Sequence, residues 1–168
     1  MKLKVYGPMM IIGAWAFLSS TNAYCQTFGE YKETGDNYLR SGKAALAIGE
    51  YKQALELNSG STAVTFNLAI ANYKERNLKE TISALEKIVQ LDPNDTEAYY
   101  NLGCFKLYGR NFEAARDCLK KAQACCSANQ DFACAIEQTL AFVGKLKTLD
   151  PQTQNAIILS FAAQSLAQ

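Results

Sequence analysis

Histidine is absent from this chain of 168 residues. Without an imidazole, the chain cannot use His acid–base catalysis, Ser-His-Asp or Cys-His nucleophile pairs, or His-containing zinc motifs. An excess of one charge is also lacking, because 17 basic side chains stand against 16 acidic ones and the formal net charge is +1. Such a chain has neither the basic field that attracts nucleic acid nor a polybasic run for anionic lipid. We therefore expect that the chain is not an enzyme and that it has no metal site, no cofactor and no nucleic-acid partner.

Near the start of the chain lies one apolar run, Pro8–Leu18, which is shorter than the ~20 residues that cross a bilayer as a helix. Lys2 and Lys4 precede it, and small and polar residues follow it as far as Ala23. Positive charge, apolar core and small residues in this order are typical of a secretory signal peptide. We predict that residues 1–23 are removed and that the remaining chain is exported to the periplasm or cell envelope, with no transmembrane span.

The cleavage site has more than one reading. Cleavage after Ala23 would start the mature chain at Tyr24, and cleavage after Cys25 would start it at Gln26. An alternative makes Cys25 a lipidated first residue, although a lipoprotein signal has a small residue where Tyr24 stands.

The middle of the chain repeats itself with a constant period, which divides it into segments 28–61, 62–95 and 96–129. Four positions recur in register, of which two hold small residues and one holds large apolar residues in every segment. The registers are Gly35/Ala69/Gly103, Ala47/Thr81/Ala115, Tyr51/Leu85/Leu119 and Ala54/Ile88/Ala122.

These registers and their period resemble the tetratricopeptide repeat family over residues 28–129. The first segment has Tyr31, Gly35 and Tyr38 at the characteristic first-helix positions, and the third has Tyr99, Leu102 and Gly103. The resemblance implies an all-α fold, a right-handed α-solenoid of three helix pairs followed by two C-terminal helices.

Local signals agree with helix pairs. Apolar periodicity predicts helices at 62–75 and 78–91 with a tight turn at residues 75–77. Asp92-Pro93 and Asp150-Pro151 are both interpreted as helix starts, with Asp as the cap and Pro in the first turn.

Residues 130–168 are predicted to form a C-terminal helical pair that caps the array, with helices at 130–148 and 152–167. The second of these helices has no charged side chain and contains the run Ala156–Ala163 (AIILSFAA). The alternative function is therefore a structural, self-assembling oligomer joined through this helix.

The resemblance also implies that the first helices line a concave surface that binds a protein or peptide segment. Its candidate residues are Lys32, Asp36, Leu39 and Arg40, then Phe66, Ile70, Tyr73 and Lys74, then Tyr100, Cys104, Leu107 and Tyr108. Family members that clamp a chaperone's terminal carboxylate carry basic and amide residues that Lys32 and Asn67 match, whereas Asp36, Glu97 and Asn101 do not. We expect a non-enzymatic scaffold or adaptor whose ligand is not a chaperone C-terminus of that type.

Six cysteines in an exported chain favour a disulfide. Cys134 follows a turn that separates it from Cys125 and Cys126, and antiparallel helices could bring it near either of them. These three are the disulfide candidates, with small buried apolar residues as the alternative reading.

Overall fold

The structure, a computed structural model, describes residues 27–126 and 130–165, with side chains for 27–126 and 132–158. The predicted signal segment 1–23 and Cys25 lie outside the described residues. Within the described ranges the fold is all-α, with eight helices and no strand. They are α1 (Phe28–Arg40), α2 (Ala44–Leu57), α3 (Thr62–Lys74), α4 (Leu78–Leu91), α5 (Thr96–Tyr108), α6 (Phe112–Cys125), α7 (Gln130–Leu146) and α8 (Pro151–Ser165). None of the described helices is long and apolar enough to span a bilayer.

The sequence period reappears at the start of every pair. The first helices α1, α3 and α5 begin at residues 28, 62 and 96, and the second helices α2, α4 and α6 begin at 44, 78 and 112. Thr27, Ser61 and Asp95 precede the first helices, and each accepts a hydrogen bond from a backbone N–H in the first turn. Each cap satisfies a donor that the helix itself cannot satisfy.

The capping prediction is correct at one of its two sites. Asp150 Oδ1 accepts hydrogen bonds of 3.0 Å from the backbone N–H groups of Gln152 and Thr153, and α8 begins at Pro151. The prediction for Asp92-Pro93 is wrong, because Asp92 follows the last residue of α4 and Asp95 caps α5 instead. The loop from Asp92 to Asp95 separates the two helices, so the Pro stands in the connection.

The turns within the pairs share one backbone geometry. Gly42, Arg76 and Arg110 have positive φ of 74°, 60° and 63°, and they occupy the same position in three successive repeats. After each of them, the next N–H donates to a carbonyl earlier in the preceding helix, as Asn77 N does to Asn72 O at 2.9 Å. This is the Schellman ending of a helix, which favours Gly at the left-handed position.

The helices of a pair approach closely at the predicted small residues. A Cβ on Gly35 would lie 2.6 Å from Tyr51 Cε1, and one on Gly103 would lie 2.8 Å from Leu119 Cγ. Ala47, Tyr51 and Leu119 are fully buried. The aligned small and large registers are therefore the packing seam between first and second helices.

The C-terminal helices extend the core, as a cap must. Ile136 and Val143 of α7 are buried, and Phe132 and Leu140 pack beside them. Ile158 of α8 is 5% exposed and packs in one cluster with Leu107 of α5. The first half of α8 thus covers the third helix pair.

Candidate functional site on the first helices

The candidate site is the first-helix surface, by which we mean the faces of α1, α3 and α5 that carry the predicted binding residues. Asp36 on α1 is the centre of a polar network at the end of this surface nearest the N-terminus. Lys32 Nζ lies 2.7 Å from Asp36 Oδ2, and Asp36 Oδ1 accepts hydrogen bonds from Tyr51 OH at 2.7 Å and Asn67 Nδ2 at 2.8 Å. The network joins α1, α2 and α3.

This network fixes the charge state of its members. Burial alone would raise the pKa of Asp36, but the hydrogen bonds from Lys32, Tyr51 and Asn67 outweigh it and hold the pKa below its ordinary value. Burial, and then the Asp36 carboxylate, raise the pKa of Tyr51. Lys32 and Asp36, both predicted to bind a partner, therefore neutralise each other within the chain.

Arg40 lies at the end of α1 and is exposed. Its guanidinium donates to Asn37 Oδ1 at 2.8 Å and to Asp36 O at 3.3 Å. These bonds to its own helix hold the side chain beside the network just described.

Helix α3 presents three apolar side chains on one face. Phe66, Ile70 and Tyr73 are all half-buried, and their spacing of four and three residues places them in a row. The Tyr73 ring meets Phe105 edge to face, with centroids 5.0 Å apart. Lys74 follows and is exposed.

A pocket lies between the ends of α3 and α5, with a volume of about 460 Å³. It is lined by Tyr73, Lys74, Arg76, Leu78 and Tyr108. Burial, and then the nearby Tyr108, raise the pKa of Tyr73, so its phenol is a protonated donor at neutral pH. Tyr108 is 38% exposed. We call this the Tyr73–Tyr108 pocket.

The other residues of α5 are covered by the C-terminal helices. Leu107 is only 1% exposed and packs with Val143, Leu146 and Ile158, so its prediction as a binding residue is wrong. Tyr100 packs edge to face on Phe132, and its hydroxyl lies 3.4 Å from Thr139 Oγ1.

Cys104, another candidate on α5, is half-buried. Burial raises the pKa of its thiol to about 11, which keeps the sulfur neutral at physiological pH and unsuited to nucleophilic attack. No group of three or more Cys, Asp or Glu side chains in the described ranges could hold a metal ion.

Residues 96–124, which cover α5 and nearly all of α6, match the model of the family described as tetratricopeptide repeat. The third helix pair therefore matches a tetratricopeptide repeat. The first and second pairs repeat its helix starts, caps and turns at the same constant interval.

Several known proteins have a similar sequence or fold. The chain is 22% identical over 116 residues to Hsp70-Hsp90 organizing protein 3 of Arabidopsis thaliana, a match that covers 69% of this chain and 21% of that protein. The chain thus spans about a fifth of the length of this relative.

Among solved structures, the first tetratricopeptide domain of Spaghetti (RPAP3) bound to the HSP90 peptide SRMEEVD is 23% identical, with a TM-score of 0.58 over 69% of this chain and 94% of that one. The crystal structure of MamA is 18% identical, with a TM-score of 0.66 over 94% of this chain and 90% of that one. At these identities the likeness establishes the fold, an array of tetratricopeptide-type helix pairs.

The two side chains that match the carboxylate-clamping members, Lys32 and Asn67, both bind the internal carboxylate of Asp36. Glu97, at a third clamp position, is exposed. Asp36 of α1 therefore binds both side chains that would hold a ligand carboxylate, and the exclusion of a chaperone C-terminus stays a prediction.

The disulfide candidates are not bridged to Cys134 in the structure. Cys125 donates a weak hydrogen bond to Pro93 O at 3.8 Å, and Cys134 Sγ accepts one from Gln138 at 3.3 Å. Both carry free thiols, and Cys126 lies at the end of α6. A bridge between Cys134 and Cys125 or Cys126 stays a prediction for the oxidised protein.

Sequence reasoning missed two residues of the Tyr73–Tyr108 pocket, Arg76 and Leu78. A signal was present for Arg76, because it occupies the repeat position at which the first pair has Gly42. Arg110 stands at the same position in the third pair, so two of the three pairs place a long cationic side chain where a left-handed turn favours Gly.

Proposed function

We propose that this chain is an exported, non-enzymatic interaction module that binds a segment of a partner protein along α3 and the end of α5. The observation that carries the proposal is the row Phe66, Ile70 and Tyr73, which continues to the exposed Tyr108. Half-exposed aromatic side chains beside a pocket are the usual anchors of a protein interface.

Several other candidate residues of the first-helix surface already contact residues of the same chain. Lys32 and Asp36 bind each other, and Leu107 and Tyr100 lie under α7 and α8. The remaining row on α3, from Phe66 to Tyr73, is roughly 10 Å long at a rise of 1.5 Å per residue. An extended peptide of about three residues would span it.

The comparisons support a peptide as the ligand class. A domain of the same fold is known with a bound HSP90 peptide, and the curated relative is named for organising Hsp70 and Hsp90. The internal Asp36 carboxylate makes a different ligand more suitable here than one that ends in a carboxylate at Lys32 and Asn67.

Photo-crosslinking in the native cell tests this proposal. A photoreactive residue at Ile70 should give one discrete adduct, and the same residue at the exposed Ser83 on α4 is the matched control from the same pair. Equal smears at both positions, or no adduct at Ile70, would contradict partner binding at α3.

Export is part of the proposal and rests on the composition of residues 1–23. Mass spectrometry of the protein from the cell envelope should find a chain that begins at Tyr24 or Gln26. A full-length chain that begins at Met1 in the cytoplasm would contradict it.

A further inference from the structure

We propose that the Tyr73–Tyr108 pocket binds the carboxylate of an acidic side chain on the partner segment. This inference rests on the proposed function and adds the chemistry that the partner must carry. At about 460 Å³, the pocket is in the ~300–1,000 Å³ range of typical ligand pockets. It therefore has room for a Glu or Asp side chain and part of the neighbouring backbone.

The pocket collects positive charge that the chain does not neutralise. Lys74 and Arg76 are exposed and form no ion pair within the described residues, and none of the described lining residues is acidic. Four other basic side chains are paired with carboxylates: Lys32, Lys106, Arg116 and Lys147. Exposed lysines such as Lys52 and Lys120 are unpaired among the described residues as well, so the feature particular to this place is that two unpaired cations line one pocket.

Two phenols and an apolar wall complete the pocket. Tyr73 and Tyr108 place O–H donors beside the two cations, and Leu78 gives an apolar contact for the methylene groups of a Glu side chain. The edge of Phe105 fixes the Tyr73 ring. Donors held in place beside unpaired cations favour an anion over a neutral group of the same size.

Arg76 is placed for this task at a conformational cost. Its φ of 60° is a left-handed conformation that is unfavourable for a residue with a Cβ. Arg110 has the same conformation in the next pair, but its guanidinium lies 3.5 Å from Gln154 Oε1 of α8. Arg76 has no such partner among the described residues, which leaves its guanidinium available to a ligand.

Fluorescence anisotropy with two capped peptides tests the proposal on the full processed chain. The probes are fluorescein-labelled Leu-Glu-Phe-Glu-Leu-amide and the matched peptide in which Gln replaces both Glu residues, and neither has a terminal carboxylate. We expect the Glu peptide to bind roughly tenfold tighter than the Gln peptide at low salt, with the ratio falling as salt shortens the Debye length.

The double variant Lys74→Gln, Arg76→Gln should abolish this discrimination. The control Lys52→Gln, Lys120→Gln removes the same charge from exposed positions on α2 and α6 and should retain it. Both pairs of side chains are exposed, so neither variant is expected to lose its fold, which circular dichroism checks.

Three outcomes would overturn the proposal. They are equal affinity for the two peptides, no binding of either, and a phosphotyrosine version of the peptide that binds at least tenfold tighter than the Glu peptide. Equal affinity that is lost on Tyr73→Ala would leave the proposed function standing with a neutral ligand. A missing crosslink at Ile70 would instead count against the proposed function, whatever the peptides show.

Discussion

The close approach of α1 and α2 predicts that one methyl group at Gly35 destabilises the protein. An ideal Cβ there would lie 2.6 Å from Cε1 and 2.8 Å from Cδ1 of Tyr51. The Tyr51 ring is fully buried, and its hydroxyl donates to Asp36 at 2.7 Å. Because the ring cannot move without lengthening this bond, the Gly35→Ala variant must strain the pair.

The change in the free energy of unfolding has three contributions, of which two destabilise the variant and one stabilises it. Overpacking of a buried contact costs about 1–3 kcal/mol, and weakening a hydrogen bond to a carboxylate adds to that cost. Replacing Gly by Ala inside a helix returns about 0.5–1 kcal/mol. We therefore expect Gly35→Ala to lower the free energy of unfolding by about 2 kcal/mol, which corresponds to a fall in Tm of roughly 4–8 °C for a chain of this size.

Gly49 on α2 provides the matched control. A Cβ at Gly49 would meet no atom within 4 Å, so Gly49→Ala keeps the helix-propensity gain without a clash. It should raise the free energy of unfolding by about 0.5–1 kcal/mol. Thermal unfolding of both variants, followed by circular dichroism, measures the difference. If Gly35→Ala is as stable as Gly49→Ala, the tight seam between α1 and α2 is wrong.

Four further perturbations have defined outcomes. Because both turns need a left-handed residue, Arg76→Gly should stabilise the chain by about 1 kcal/mol and Gly42→Ala should destabilise it by about the same amount. Urea unfolding measures both changes. If both variants change the free energy of unfolding in the same direction, the left-handed turn does not determine their stability. Asp36→Asn should destabilise the protein at neutral pH by about 1–2 kcal/mol. Since the folded pKa of Asp36 lies below the ordinary 3.8, that difference should persist above about pH 4 and shrink as the pH falls further; a difference independent of pH would refute the charged network. Deleting residues 151–168 should cost at least about 2 kcal/mol by uncovering Leu107, and light scattering on the same protein tests self-association through α8.

Much of the architecture could be predicted from the sequence because each repeat carries its own local signals. The predicted helix starts at residues 62 and 78 are those of the structure, and the last two helices differ from the predicted bounds by at most two residues. Helix starts depend on caps and on the apolar periodicity of a short window, which one sequence displays. At Asp92-Pro93 two capping signals stood close together, and sequence alone could not rank Asp92 against Asp95.

The surroundings of the candidate binding residues were harder to predict, because repeat position does not reveal what packs over a side chain. Leu39, Tyr73 and Leu107 occupy the same place in three successive repeats. Leu39 packs against the buried cluster that contains Tyr51, Tyr73 lines the pocket, and Leu107 lies beneath α8. The packing of each one depends on contacts between residues far apart in the chain, as the cover of α7 and α8 over Leu107 shows.

Stability and binding compete for the same surface in so short an array. A helix pair cannot bury its apolar face alone. A pair at the end of the array therefore needs either further helices that cover it or hydrogen bonds among its own polar side chains. The last pair is covered by α7 and α8, through Val143 and Ile158. In the first pair, the polar side chains that face α3 satisfy each other around Asp36. The middle pair is packed on both sides and needs neither solution, which is consistent with the proposal that Tyr73 and Arg76 at its turn contact a partner.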